Sequence, residues 1–246
     1  QTYGIGGGFD IDEQNGVYSV NQTTRDLNKE ESNNIDLTYR YQNDTWDATA
    51  SVFYNQVGDY IFEQSTGLVY VGGELITAEN YTANVALNGE YEEETDGLSV
   101  INFEQQDAKL YGFEAQVDVH MTEALRWEVF SDYTRAELDE GGNVPRIPPL
   151  RVGSSLHYEQ GNWHGEVEVV RNSKQDKIAA YETDTDGYTM WSAAANYYLA
   201  LDDLDMTFYL KGSNLTNEEG RVHSSYVKDE IPLPGRSVSL GVRARF

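Results

Sequence analysis

Glu182-Thr-Asp-Thr-Asp-Gly187 sets carboxylates at alternate positions with a glycine sixth. That spacing suits a hard cation such as Ca2+, with Glu182, Asp184 and Asp186 as oxygen donors. The twelfth position is Ala193, so the bidentate glutamate that completes such a loop is missing. A solvated acidic loop accounts for the same residues. His164, Glu166 and Glu168 alternate along one segment. Alternate residues of a strand stand about 6.6 Å apart, too far for all three to share one ion easily, and a polar strand face explains them as well. His223 is a further candidate metal ligand, or a residue that orders its own loop. Four histidines and no His-rich tract weaken a zinc reading. Glu63, Glu74, Glu79, Glu90, Glu92, Glu93, Glu94, Asp96, Glu104 and Asp107 crowd the stretch from 63 to 107, where no Lys or Arg precedes Lys109. Such a stretch could attract cations; a solvated loop is the simpler account. Gly6-Gly7-Gly8 lacks the strand–helix context of a dinucleotide or phosphate site. No nucleophile elbow, catalytic triad or metalloprotease motif occurs, so neither an enzyme nor a resident cofactor is expected.

Composition bounds the rest. The 42 acids outnumber 17 bases, for a net charge of −25. Nucleic acid is excluded as a partner, because phosphate binding needs clustered Lys and Arg. There is no cysteine, hence no disulfide framework or thiolate metal site. Mean hydropathy is −0.60, and no run approaches the roughly 18 apolar residues of a spanning helix. A transmembrane barrel escapes that test, because its strands alternate apolar and polar residues. The chain starts at Gln1 in a glycine-rich stretch with neither a Met nor a signal peptide, which suggests a mature or truncated start.

The elements that must carry these residues are strands. Period-two alternation recurs from about residue 33 to the end. Ile35, Leu37, Tyr39 and Tyr41 oppose Asn34, Asp36, Thr38 and Arg40. Tyr111, Phe113, Ala115, Val117 and Val119 oppose Gly112, Glu114, Gln116, Asp118 and His120, and Val238, Leu240, Val242, Ala244 and Phe246 oppose Ser237, Ser239, Gly241, Arg243 and Arg245. Nine such segments are expected. Their connectors alternate between short (42–45, 121–124, 159–162, 200–205) and long (63–106, 139–148, 174–187, 214–234). Short turns on one side and long loops on the other mark a transmembrane barrel. Tyr41 and Trp46, Tyr158 and Trp163, and Tyr197 and Phe208 flank the short turns like an interfacial girdle. Arg126, Glu128, Glu166, Glu168, Arg243 and Arg245 would be costly to bury in a dry core, so their face is expected to line a wet lumen.

The fold expected is therefore all-β, a transmembrane antiparallel β-barrel with about nine strands here. Strands one and nine run the same way, and an antiparallel seam needs them opposed. An edge left open in lipid is not viable. The nine strands are expected to belong to a larger barrel, with residues 1–32 forming an extracellular loop or partial strand and 33–246 the barrel strands. In 1–32, Tyr3, Ile5, Phe9 and Ile11 alternate and could supply a tenth strand.

The end of the chain carries the most specific signal. Asn214-Leu-Thr-Asn-Glu-Glu-Gly-Arg-Val-His-Ser-Ser-Tyr-Val-Lys-Asp229, followed by Pro232-Leu-Pro-Gly-Arg236 and a strand ending in Phe246, resembles the C-terminus of TonB-dependent receptors, closest to the branch that includes zinc-uptake receptors. Leu27-Asn-Lys-Glu-Glu-Ser-Asn-Asn-Ile-Asp-Leu37 is similar to a strand-opening segment of the same family, with Lys29 where that family usually has Pro. Tyr111-Gly-Phe-Glu114 resembles another strand start. The resemblance implies a 22-stranded barrel of which this chain is the C-terminal part, with the lumen plugged by an N-terminal domain absent here. It also implies uptake driven by the TonB complex. Partners expected are outer-membrane lipid, the plug, upstream barrel strands, TonB and a small nutrient ligand. The terminal Phe246 resembles the signal read by the barrel-insertion machinery. The expected function is uptake of a scarce nutrient, a metal ion or metal chelate, across the outer membrane of a Gram-negative bacterium. A small passive porin and a soluble acidic β-sandwich binding module are the alternatives.

Overall fold

The computed structural model describes residues 9–14, 17–22, 27–81 and 97–246. Nine strands form one continuous antiparallel path: β3 (Glu31–Gln42), β4 (Trp46–Val71), β6 (Leu98–His120), β7 (Leu125–Leu138), β8 (Arg151–Gln160), β9 (Trp163–Asn172), β10 (Tyr188–Leu201), β11 (Leu204–Ser213) and β12 (Ser237–Arg245). A tenth strand, β5 (Glu74–Thr77), pairs only with the far end of β4. β1 (Phe9–Gln14) and β2 (Val17–Gln22) make a separate two-stranded ribbon. Phe9 and Ile11 thus pair with β2 and add no strand to the large sheet; Tyr3 and Ile5 lie outside the described residues. No second sheet stacks on the large one among the described residues, which removes the sandwich alternative.

β3 and β12 are the two ends of the sheet, and nine antiparallel strands leave them running the same way. Among the described residues the sheet is not closed.

Register fixes the faces. Leu37 pairs with Val52, Val52 with Phe113, and Phe113 with Tyr133. Farther along, Trp127 pairs with Leu156, Leu156 with Val167, Val167 with Ala193, and Leu210 with Leu240. The apolar rows of all nine strands therefore share one face. Its members stay open, Ile35 at 73% and Leu240 at 81% exposure. So extended an apolar surface needs a nonpolar medium against it. Two short turns show how local chemistry reverses the chain. The Asn43 side-chain oxygen accepts hydrogen bonds from the amides of Thr45 (2.7 Å) and Trp46 (2.9 Å). Gly161, at φ 58°, makes the two-residue turn between β8 and β9. At this end Tyr41 packs on Trp46 and Trp163 on Tyr197, with centroids 4.6 and 4.8 Å apart, as an interfacial belt requires.

The opposite face is polar. Arg126 bridges Asp118 and Glu128, and Arg151 pairs with Asp132 at 2.8 Å. His157 stands 3.7 Å from Glu128 and 3.9 Å from Glu166. Glu168 accepts a hydrogen bond from the Ser192 hydroxyl at 3.3 Å, so His164, Glu166 and Glu168 belong to this cross-strand polar face. Three aromatic rings cover glycines directly opposite them: Phe53 over Gly112, Phe130 over Gly153, and Tyr209 over Gly241. A Cβ on any of these glycines would run into the facing ring.

One sequence expectation needs correction. β4 and β6 span 26 and 23 residues, so much of the expected loop 63–106 is strand. Glu63, Glu104 and Asp107 lie on β4 and β6, Glu74 on β5, and Glu79 in a helical turn at 78–81. Glu90, Glu92, Glu93, Glu94 and Asp96 lie outside the described residues. The structure also has a small apolar core. Among the described residues it lies at the long-loop end, where Phe62, Ala108, Ala136, Leu138 and Val144 gather with Tyr60, Leu110 and Ile147 against them. Loop 139–150 folds back to supply Val144 and Ile147.

Candidate functional site

The functional candidates converge where the long loops meet the extension of β4. Loop 139–150 contains Pro145, Pro148 and Pro149, and loop 214–236 contains Pro232 and Pro234, all five prolines of the chain. Proline fixes φ and narrows the conformations a loop samples. Between two of these prolines Arg146 adopts φ 59°, a left-handed conformation unusual for a residue with a Cβ. Its backbone amide donates to Glu182 Oε1 at 2.9 Å. Its guanidinium donates to Glu63 Oε2 on β4 at 2.5 Å and to the Tyr226 hydroxyl at 3.1 Å, and lies 3.9 Å over the Tyr226 ring. Tyr226 also donates to Glu63, at 3.0 Å. One arginine thus touches β4, loop 173–187 and loop 214–236.

Glu182 is the second node. It accepts from the Ala179 amide at 2.9 Å and from Arg146, and its Oε1 lies 3.2 Å from His223 Nε2. The His223 contact is close in distance but poorly aligned as a hydrogen bond. Burial pushes the Glu182 carboxyl up, but His223 and the two backbone amides outweigh it and hold the group below its ordinary range. His223 is 2% exposed, and its Nδ1 lies 3.0 Å from the Thr185 hydroxyl. Lys228, also buried, donates to the carbonyl of Thr183 at 2.7 Å, to the Thr183 hydroxyl and to Asp229. Local desolvation of the hydroxyl raises the otherwise exposed Tyr226 above its usual range, and the bond to Glu63 adds to the rise. Between these groups lies a cavity of about 160 Å3, bordered by Glu63, Arg146, Tyr181, Glu182, Tyr226 and Lys228.

Of the cation candidates, the structure brings together only Glu182 and His223. Asp184 turns to Lys174 at 2.5 Å, and that ammonium lowers its pKa. Asp186 is exposed. Among the described residues no three His, Cys, Asp or Glu side chains are grouped to hold a metal ion. Glu182 spends its oxygens on internal donors. The sequence reading missed Arg146, Glu63 and Tyr226 as members of this cluster, and took Lys228 only as a motif match. The proline density around Arg146 was the available signal.

The apolar outer face, the polar inner face and the interlocked loops on one end belong together in an outer-membrane wall. The sequence model of the TonB dependent receptor-like β-barrel matches residues 1–215. The chain belongs to the TonB-dependent receptor family. Receptors of this kind sit in the outer membrane of Gram-negative bacteria. Solved structures similar to this receptor chain include the copper transporter OprC, at TM-score 0.67 and 18% identity over 89% of this chain and 32% of that one. The FrpB iron transporter from Neisseria meningitidis (F3-3 variant) aligns at 0.60 and 17% identity, over 88% and 31%. The siderophore receptor PirA from Acinetobacter baumannii aligns at 0.60 and 17%, over 93% and 34%. This receptor chain spans about a third of each. These relatives are transporters and receptors for metal or siderophore uptake. At such identity the likeness speaks for the fold.

Proposed function

We propose that this chain forms the C-terminal wall and part of the surface cap of an energised receptor that takes up a metal ion or metal chelate. The observation that carries the reading is the open sheet: its outer face demands lipid, yet among the described residues β3 and β12 each keep an unpaired edge. Backbone groups unpaired in hydrocarbon are costly, so other strands must complete the wall. Family membership supports a plug in the completed lumen and TonB as the source of energy. The copper, iron and siderophore relatives support a metal species as cargo. The loop cap sits at the outer mouth, where cargo arrives.

The test is uptake by the parent bacterium. Accumulation of radioactive copper, zinc and chelated iron is compared in wild type, a receptor deletion and a tonB deletion. One metal species should lose energised uptake in both deletions, and the full-length receptor should restore it in the receptor deletion alone. Unchanged uptake of all three, with loss of passive permeation by small neutral solutes, would replace this reading with a porin. Orientation is checked by cysteine labelling at positions of this chain, which itself holds no cysteine. Ile231→Cys should react on intact cells and Asp203→Cys should not.

A further inference from the structure

Three loops and one strand meet at Arg146, and the manner of their meeting has a dynamic consequence. Arg146 holds Glu63 of β4 and Tyr226 of loop 214–236 with its side chain, and Glu182 of loop 173–187 with its backbone amide. Loop 173–187 makes its own contacts with β4, since Gln64 Nε2 donates to the Ala180 carbonyl at 3.2 Å and the Tyr181 ring covers Gly67. Loop 214–236 is tied to loop 173–187 again through Lys228 on Thr183 and His223 on Glu182. Arg146 and Tyr181 both hold left-handed backbone conformations, at φ 59° and 60°, and both border the same cavity. Such conformations are uphill for residues with a Cβ and persist only where surrounding contacts impose them. Closure of the cap therefore works against local backbone preference at two points. A guanidinium forked between a carboxylate and a phenol, and stacked on that phenol's ring, supplies directional contacts that a lysine cannot reproduce.

We propose that loops 139–150, 173–187 and 214–236 open and close as one lid over the receptor mouth, with Arg146 as the latch that joins them to β4. β4 and loop 214–236 are joined through Glu63 and Tyr226, which bond to Arg146 and to each other. Release of Arg146 frees its own loop from its left-handed turn, leaves Glu63 with Tyr226 alone, and takes one donor from Glu182. The loss is thereby shared by all three loops.

The experiment is amide hydrogen exchange on the full-length receptor, wild type against Arg146→Ala, Arg146→Lys and Tyr226→Phe. Arg146→Ala should speed exchange in all three loops together by about ten-fold or more, as loss of a shared set of contacts to a charged group requires. Strands β8–β11 should keep their rates and serve as the internal reference. Arg146→Lys should fall between wild type and Ala, and Tyr226→Phe, which removes one hydroxyl and keeps the ring, should give a smaller rise in the same three loops. Faster exchange confined to 139–150, with the other two loops at wild-type rates, would overturn the single lid. If Arg146→Ala fails to fold, the same criterion applies to Arg146→Lys and Tyr226→Phe. The readout needs no cargo, so it stands or falls separately from the uptake experiment.

Discussion

In the strand wall, the residue two places along decides which way a side chain faces; in the cap, Tyr226 bonds to Glu63 across 163 residues and Arg146 to Glu63 across 83. The wall relies on media: lipid covers one face, water and charge pairs the other. The cap relies on particular partners, each satisfied by one or two others. A wall of this kind tolerates changes that keep a residue's polarity. A cap of this kind tolerates few changes at its nodes and many elsewhere.

Leu240→Arg, set in the apolar row of β12, tests that contrast most forcefully. It should cost about 2–4 kcal/mol in a reversible folding assay of the full receptor in lipid, whereas the neighbouring Ser239→Arg should cost far less. Equal costs would mean that the two faces do not meet different media, and a larger cost at Ser239 would mean that they are reversed. Next comes the cap. Glu182→Ala strands the amides of Ala179 and Arg146, and should weaken loop closure by about 1–3 kcal/mol, seen as faster protease nicking within 173–187. An unchanged nicking rate would reduce Glu182 to a bystander. A third change probes the wall where it does depend on a particular partner. Gly153→Ala pushes a methyl into the Phe130 ring and should cost about 1–3 kcal/mol. It should cost clearly less in a Phe130→Leu background, and strict additivity of the two changes would show that the pair is not coupled.

Acidification should give the smallest effect. The Glu182 carboxyl titrates below its ordinary range in the folded cap, so its contribution is complete above the unfolded value, near 4.3, and fades as pH falls through the folded one. His223, Arg146 and Lys228 stand around it as the other charged or titratable groups. Loop exchange should therefore be steady through neutral pH and rise only under acid, and Glu182→Gln should flatten that rise. A rise that survives in Glu182→Gln would assign the acid sensitivity to another carboxyl.

The nine wall strands were legible because lipid enforces alternation residue by residue, and the short turns carried Asn43 and Gly161 as signals. The far ends of β4 and β6 were not. Register shifts between Val57 and Tyr60 and between Ser65 and Val69 change which residues share a face, so period two breaks while the strand continues. β5 is too short and too acidic at Glu74 to stand out. At the site, Glu182 and His223 were each visible as residues that bind something, but their mutual contact is a fact of loop docking. Glu63 read as one acid in an acidic stretch, and nothing in the sequence around it names Arg146 as its partner. The oxygen-donor spacing of 182–187 suggested convergence on an ion, whereas the folded loop sends Asp184 to Lys174 and leaves Asp186 in solvent.

The rings that lie over Gly112, Gly153 and Gly241 tie together positions that are distant in the chain but adjacent on the wall. Neither member of such a pair can drift alone: a side chain gained at the glycine collides with the ring, and a ring lost leaves bare backbone facing the lumen. Substitution at the two sites should therefore be historically linked, with the ring shrinking before the glycine is replaced. Among related barrels, Phe130 with Gly153 and Tyr209 with Gly241 should be inherited or lost as couples, whereas Gly112 is also held by the Tyr133 carbonyl and should persist whatever ring faces it; the joint variation of the two couples would mark strand register in relatives too distant to align by identity.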